Sequence, residues 1–215
     1  MPTDEFRDLI EGYTTFRQTH YAADAERYRD LAALGQTPRT MIIACSDSRV
    51  DPSRIFNARP GELFVVRNVA NLVPPCEAHG SYHGTSAAIQ FAVEMLKVER
   101  ILIMGHARCG GVRAFLEGAS SDRPAQSFIE KWISLLGPAY EALLAEGLPD
   151  DAEARQRLME QVSVTQSIEN LLSFPFVKEA VADRALRLQG GFFDVSTGQL
   201  QLLDAETKRF EAIPI

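Results

Sequence analysis

The sequence predicts an α/β fold: a mainly parallel central sheet flanked by helices, with an amino-terminal helical arm and a carboxy-terminal strand hairpin. Three observations predict it. Short apolar runs, too brief for helices, alternate with longer segments of helical periodicity, the pattern of strand, crossover helix and strand that closes right-handed onto a parallel sheet. The chain has 215 residues, 46% of them hydrophobic, enough to bury roughly 70% of its unfolded surface without disulfides. No internal repeat, low-complexity tract or linker divides it, so residues 1–215 read as one domain, with 1–35 forming the arm.

The arm comes first. Phe6, Leu9, Ile10 and Tyr13 recur at three- and four-residue spacing, and Tyr21 to Leu34 continues in the same manner, as amphipathic helices do. After the break from Gly35 to Pro38, Met41-Ile42-Ile43-Ala44 reads as a buried strand ending at Cys45. Pro60-Gly61 turns the chain into a second strand, Leu63 to Arg67, and beyond Val73-Pro74-Pro75 a helix is predicted over Gly84 to Lys97. A third strand, Arg100 to Met104, runs into Gly105-His106, and a short helix begins within Cys109 to Val112. Ala125 to Leu144 and Asp151 to Leu172 read as two long helices, and Phe176 to Asp183 as a shorter one. The final strands are Ala185 to Leu188 with Phe192 to Val195, and Gln199 to Leu203, turned at Ser196-Thr197-Gly198.

Composition excludes several classes. With 22 basic against 29 acidic residues, a net charge of −7 and no basic cluster, the chain lacks what a nucleic-acid partner requires. Runs such as Ile101 to Met104 are far shorter than the roughly 20 apolar residues that span a bilayer. Three cysteines cannot pair completely, and the first residues do not read as a secretory leader, so a reducing, cytoplasmic setting is expected.

Two of those cysteines fall beyond strand ends, where ligands gather in open parallel sheets. Cys45 follows the first strand; His106 and Cys109 follow the third. Two thiolates and one imidazole make a zinc site with three protein ligands and a fourth position for water or substrate. In that setting a bound water loses its proton near neutral pH, at a pKa of about 7. Asp47, paired with Arg49, could accept the hydroxide proton or instead close the fourth position. Taken singly, a cysteine is more often a small core residue, a histidine a hydrogen-bonded structural group and an exposed Asp–Arg pair inconsequential. The coincidence of all five at two strand ends favours the metal. Cys76, His79 and His83 form a rival set in a loop-like stretch.

At these residues the sequence strongly resembles the beta-class carbonic anhydrases. The resemblance lies in Cys45-Ser46-Asp47-Ser48-Arg49-Val50, Pro60 to Asn71, Gly105-His106-Ala107-Arg108-Cys109-Gly110-Gly111, Ser173 to Val177 and Leu188 to Asp194, and spans roughly Gln36 to Leu203. It implies reversible hydration of carbon dioxide to bicarbonate by attack of a zinc hydroxide. It implies one zinc per subunit held by Cys45, His106 and Cys109, with Asp47 and Arg49 as gate and orienter. It also implies a homodimer or a dimer-based oligomer whose amino-terminal helices reach over the partner. Within the family the chain looks like the plant-type branch, in which Gln36, Phe64, Val69, Phe91 and Gly110 stand at substrate-binding positions and Gln36 reaches the other subunit's site. An apolar wall with one amide donor suits a linear, nonpolar substrate.

Some positions depart from the pattern. Phe91 stands where many plant-type members carry tyrosine, and the loop from Cys76 to His83 is one residue longer. The other branch inhibits itself by binding bicarbonate between a tryptophan, an arginine and a tyrosine; here those positions hold Ile42, Arg67 and Phe193, so the locked state is expected to be absent. Tyr82, His83 and Glu94 are conceivable proton shuttles. Carbonyl sulfide or carbon disulfide is the alternative substrate on the same site. A structural zinc protein or thiol redox module is the alternative of another class.

Overall fold

The computed structural model describes residues 4–77, 84–118 and 127–214. Its amino-terminal arm is a short 3-10 turn followed by α1 (Arg7–Gln18), α2 (His20–Ala23) and α3 (Ala25–Leu34). The predicted helix from Tyr21 is broken at Asp24, whose backbone leaves the helical region between α2 and α3. α3 is tied to the body: Arg27 Nε donates to the Pro60 carbonyl at 2.5 Å, and Arg59 pairs with Asp24 at 2.6 Å. α1 buries none of its residues, and Leu9 and Tyr13 are 69% and 60% exposed.

Six strands form one sheet: β1 (Thr40–Cys45), β2 (Leu63–Asn68), β3 (Arg100–His106), β4 (Arg187–Phe193), β5 (Leu200–Leu203) and β6 (Phe210–Ala212). Their order is β2-β1-β3-β4-β5-β6, with the first four parallel and the last two antiparallel. The parallel core and the β4–β5 hairpin match the sequence reading. Two predicted pieces, Ala185 to Leu188 and Phe192 to Val195, are in fact one strand continuous through Gly190-Gly191. The short edge strand β6, Phe210-Glu211-Ala212, escapes sequence patterning because three residues are too few to establish an alternation.

Between β1 and β2 lies α4 (Pro52–Ile55), capped by Asp51, whose carboxylate accepts from the Ser53 and Arg54 amides with Pro52 at the first turn. The helix predicted over Gly84 to Lys97 appears as α5 (Gly84–Gln90) and widens to a π-turn over Phe91–Met95. After β3 come α6 (Gly110–Gly118), α7 (Phe128–Ile133), α8 (Gly137–Glu146), α9 (Ala152–Leu172) and α10 (Pro175–Arg184). The single helix expected over Ala125 to Leu144 is therefore corrected to two, joined by a 3-10 turn at Ser134–Leu136. Pro138, lacking an N–H, takes an opening position of α8, where no intrahelical donor is needed.

Alternation along β1 separates two cores. Met41 and Ile43 join Ile101, Ile103, Ile89 and Val164 on one face; Ile42 and Ala44 join Met104, Val112, Leu136 and Met159 on the other. α9 lies close on the sheet: a Cβ at Gly105 would meet Val164 Cγ2 at 2.6 Å, so β3 needs glycine there. Among the described residues no helix is long and apolar enough to cross a membrane.

Candidate metal centre

The chain leaves β1 toward β2 on one side and returns through β3 on the other, so the carboxyl ends of β1 and β3 flank a topological switch point, the usual ligand crevice of open parallel sheets. Cys45 is the last residue of β1 and His106 the last of β3. Cys109 sits just before the first turn of α6, after Arg108 turns the chain with a positive φ of 58°.

All three side chains are buried, and their ligand atoms lie within 4.8 Å of one another, an arrangement that could hold a metal ion. The two sulfurs are 4.0 Å apart. His106 Nδ1 stands 3.0 Å from the Ala107 carbonyl, which accepts a hydrogen bond when Nδ1 carries the proton; the buried Nε2, with no hydrogen-bond partner among the described residues, then keeps a free lone pair. Such an orphaned nitrogen beside two sulfurs fits a cation and is otherwise costly. The hydrogen bond from Cys109 holds the Cys45 thiol down to about 4 against its burial, with further help from His106 and the Asp47 amide. Cys109 is raised, because it keeps the proton shared with Cys45 and is itself buried, although the Gly111 and Val112 amides at the head of α6 favour its thiolate.

Asp47 is held by Arg49 twice over: Nε donates to Oδ1 at 2.9 Å and Nη2 to Oδ2 at 2.7 Å, while the Arg49 amide adds 3.0 Å to Oδ1. This pairing keeps the Asp47 carboxyl well below the usual carboxylate range despite partial burial. Arg49 is anchored in turn, donating to the Arg108 carbonyl at 3.1 Å. Arg67 fixes the same loop from beneath, donating to the Cys45 carbonyl at 2.9 Å and the Asp47 carbonyl at 2.6 Å.

On the Cys109 side, α9 contributes two residues that sequence reasoning missed. Glu160, 2% exposed, accepts from the Cys109 amide at 2.8 Å and from Gln156 Nε2 at 2.7 Å on the same oxygen, Oε1. Gln156 Nε2 also reaches the Cys109 carbonyl at 3.4 Å. The available signal was a carboxylate on the apolar stripe of α9, beside Met159, Ser163 and Val164.

The remaining predicted residues divide. Val69 and Gly110 lie at the crevice: Val69 rests on Gly111, where a Cβ would stand 2.7 Å from its Cγ1, and Gly110 opens α6. Val69 is presented by a turn in which Ala70 and Asn71 have positive φ, 63° and 51°, and its carbonyl accepts from Trp132 Nε1 at 2.8 Å. Phe64 instead lies opposite Met41, toward the far end of β1 from Cys45, and packs with Phe91, ring centroids 5.9 Å apart, on the first core. Gln36 is exposed and precedes β1, again away from its own chain's cysteines. Ile42 is buried in the core and Arg67 is committed to the loop above it. Cys76 is exposed, its amide donating to Ser173 Oγ at 2.7 Å; Tyr82, His79 and His83 lie outside the described residues. Glu94 is exposed and accepts from Gln90.

An α/β protein with a buried Cys-His-Cys cluster at its switch point, and an arginine-held aspartate beside it, is of the class whose open sheets carry a metal-capable centre between two strand ends. The chain belongs to the carbonic anhydrase family, whose sequence model matches residues 40–200. It is 38% identical over 194 residues to Beta carbonic anhydrase 5, chloroplastic, of Arabidopsis thaliana, covering 89% of this chain and 62% of that relative's length. Among solved structures, one of two tetrameric beta-carbonic anhydrases from the ascomycete Sordaria macrospora superimposes with a TM-score of 0.82 at 30% identity, covering 94% of this chain and 98% of the other. The beta-carbonic anhydrase CcaA matches with a TM-score of 0.83 at 26% identity, over 99% of this chain and 94% of that one. The beta class and the fold that the motifs implied are thus borne out.

Proposed function

We propose that the protein binds one zinc ion through Cys45, His106 and Cys109 and interconverts carbon dioxide and bicarbonate. The observation that carries this reading is the buried convergence of those three ligand atoms within 4.8 Å, in a chain of the carbonic anhydrase family. Two sulfurs and an imidazole nitrogen with no other partner are the donor set that zinc favours in open, catalytic sites. When bound, zinc supplies a Lewis acid that brings the pKa of a water down to about 7.

The chain's own residues do the rest. Asp47, its Oδ2 3.9 Å from His106 Nε2, is placed to accept the proton of the attacking water and so to aim a lone pair at the substrate carbon. Arg49 keeps that carboxylate ionised and in one orientation, and Arg67 fixes the peptide that carries it. Val69 and Gly110 border the crevice with apolar surface suited to a linear, uncharged molecule.

The assembly we propose is a homo-oligomer. Phe6, just before α1, and Leu9 and Tyr13 on it form an apolar stripe left exposed among the described residues, and a solved relative is described as tetrameric. Gln36, Phe64 and Phe91, remote from their own chain's cysteines, are then available to wall the partner's site.

Stopped-flow carbon dioxide hydration alongside zinc stoichiometry tests the proposal: one zinc per chain and turnover lost on chelation are expected. Full zinc occupancy with no hydration, or hydration without metal, would sink it.

A further inference from the structure

Four side chains around the centre, Arg49, Arg67, Gln156 and Glu160, hold backbone, and one of them, Glu160, is a buried carboxylate with no role in the proposed reaction. Glu160 stands on the sheet-facing side of α9, among Met159, Ser163, Val164 and Ser167, all buried. A charge-bearing side chain in such a place is costly unless its hydrogen-bond capacity is used. Its Oε1 is used twice, by the Cys109 amide at 2.8 Å and by Gln156 Nε2 at 2.7 Å. Gln156 lies one helical turn earlier and also reaches the Cys109 carbonyl at 3.4 Å. Both polar groups of the Cys109 residue are thus met from a single helix.

We infer that Glu160, steadied by Gln156, is a positioning residue that sets the Cys109 sulfur against Cys45 and His106 and thereby determines metal affinity. The inference rests on the reading that these three residues hold zinc.

Cys109 needs such support because of where it lies. It follows Arg108, which adopts a positive φ of 58°, a conformation that costs a non-glycine residue energy. It directly precedes α6, which begins at Gly110, and belongs to neither strand nor helix itself. Cys45, by comparison, is the end of a paired strand, its register with Asn68 defined, and Arg67 already holds its carbonyl. The two thiolates therefore reach the centre by different means, one from a sheet ladder and one from a strained turn pinned to α9. The sequence separation between Cys109 and Glu160 makes this link a property of the tertiary fold. α9 is also fixed where it crosses β3, since Gly105 admits Val164 at van der Waals contact. The helix that grips Cys109 is thus seated on the strand that ends in His106.

Supports of metal ligands are typically worth about 10- to 100-fold in affinity. The test compares wild type, Glu160→Ala, Glu160→Gln and Gln156→Ala, each purified as the full chain. Zinc dissociation constants are measured by chelator competition, and coordination by the visible and near-ultraviolet spectrum of the cobalt-substituted proteins. Wild type must first bind one zinc tightly; if it does not, the zinc reading itself fails. Given that, E160A is expected to bind zinc roughly 10- to 100-fold more weakly, with altered thiolate-to-cobalt absorption. E160Q, which keeps an acceptor oxygen, is expected to return both towards wild type. Q156A is expected to show a smaller loss of affinity. The inference is overturned if E160A binds zinc as tightly as wild type, or if E160Q is as weak as E160A. Should E160A not fold, Q156A decides: unchanged affinity and an unchanged cobalt spectrum overturn it.

Discussion

Asp47 Oδ2 lies 3.9 Å from His106 Nε2, yet both oxygens of that carboxylate are taken by Arg49. The aspartate is near enough to the centre to act on a ligand there, while its strongest bonds draw it toward the guanidinium. Proximity with restraint is what a proton acceptor needs, because a carboxylate free to swing could itself become the fourth ligand.

Replacing Asp47 with alanine should therefore lower kcat/KM for carbon dioxide hydration by about 10²-fold or more. Zinc content should stay at the wild-type level, since Cys45, His106 and Cys109 are untouched. Stopped-flow assay with metal analysis checks both. Unchanged hydration by the fully loaded variant would remove Asp47 from the mechanism.

The residues that would build a bicarbonate lock are otherwise engaged or absent. Ile42 is a core residue, Arg67 is bound to two carbonyls, and Phe193 has no hydroxyl. The pH–rate profile should accordingly reflect one ionisation near about 7. A steep, cooperative loss of activity below about pH 8, well above that ionisation, accompanied by a crystal with Asp47 on the metal, would contradict this.

Gly105 lies where α9 packs tightly on the sheet. A methyl group there would stand 2.6 Å from Val164 Cγ2, on a β-branched side chain with little freedom to withdraw. Gly105→Ala is expected to cost about 1–3 kcal/mol, as overpacking does. Urea unfolding of the two proteins measures the difference, and Val164→Ala should recover part of it.

Asp194 anchors the turn between β4 and β5. Hydrogen bonds from Ser196, then the bond and charge of Arg157, hold its carboxyl below the usual range. A depressed folded-state pKa stabilises at neutral pH and loses that effect as pH falls from the unfolded value toward the folded one. Asp194→Asn should thus destabilise by about 1–2 kcal/mol at pH 7. The gap should hold to about pH 5 and narrow below about pH 4, where the unfolded carboxyl titrates. A gap independent of pH in denaturant titrations would show that ionisation plays no part.

The uncovered stripe on α1 makes a prediction about assembly. Leu9→Ser combined with Tyr13→Ser should shift the protein to a smaller species in sedimentation velocity, with little change in the far-ultraviolet spectrum, because neither side chain supports its own chain. An unchanged sedimentation coefficient would place the interface elsewhere.

Much of the fold was legible because parallel strands and amphipathic helices repeat locally: Met41 to Ala44 and Arg100 to Met104 announce buried strands, and Asp151 caps the long α9. The errors fell where local pattern is weak. Gly190-Gly191 reads as a break but lies inside β4, where small residues admit Leu203 and Leu102. Gly137-Pro138 interrupts an apolar stretch that otherwise continues in helical period.

For the site, the sequence by itself singled out the residues we propose as metal ligands and gate. Cys45, Asp47 and Arg49 share one strand end, and His106 and Cys109 share one turn, so their spacing carries the chemistry. Only the tertiary structure decided which distant groups serve them. Strand order brings the ends of β1 and β3 together, the rotation of α9 turns Glu160 and Gln156 toward Cys109, and the register sets Phe64 opposite Met41 rather than beside the cysteines. Such relations depend on how elements pack across long stretches of chain, and residue periodicity encodes which face of an element is buried but not which residue it will meet.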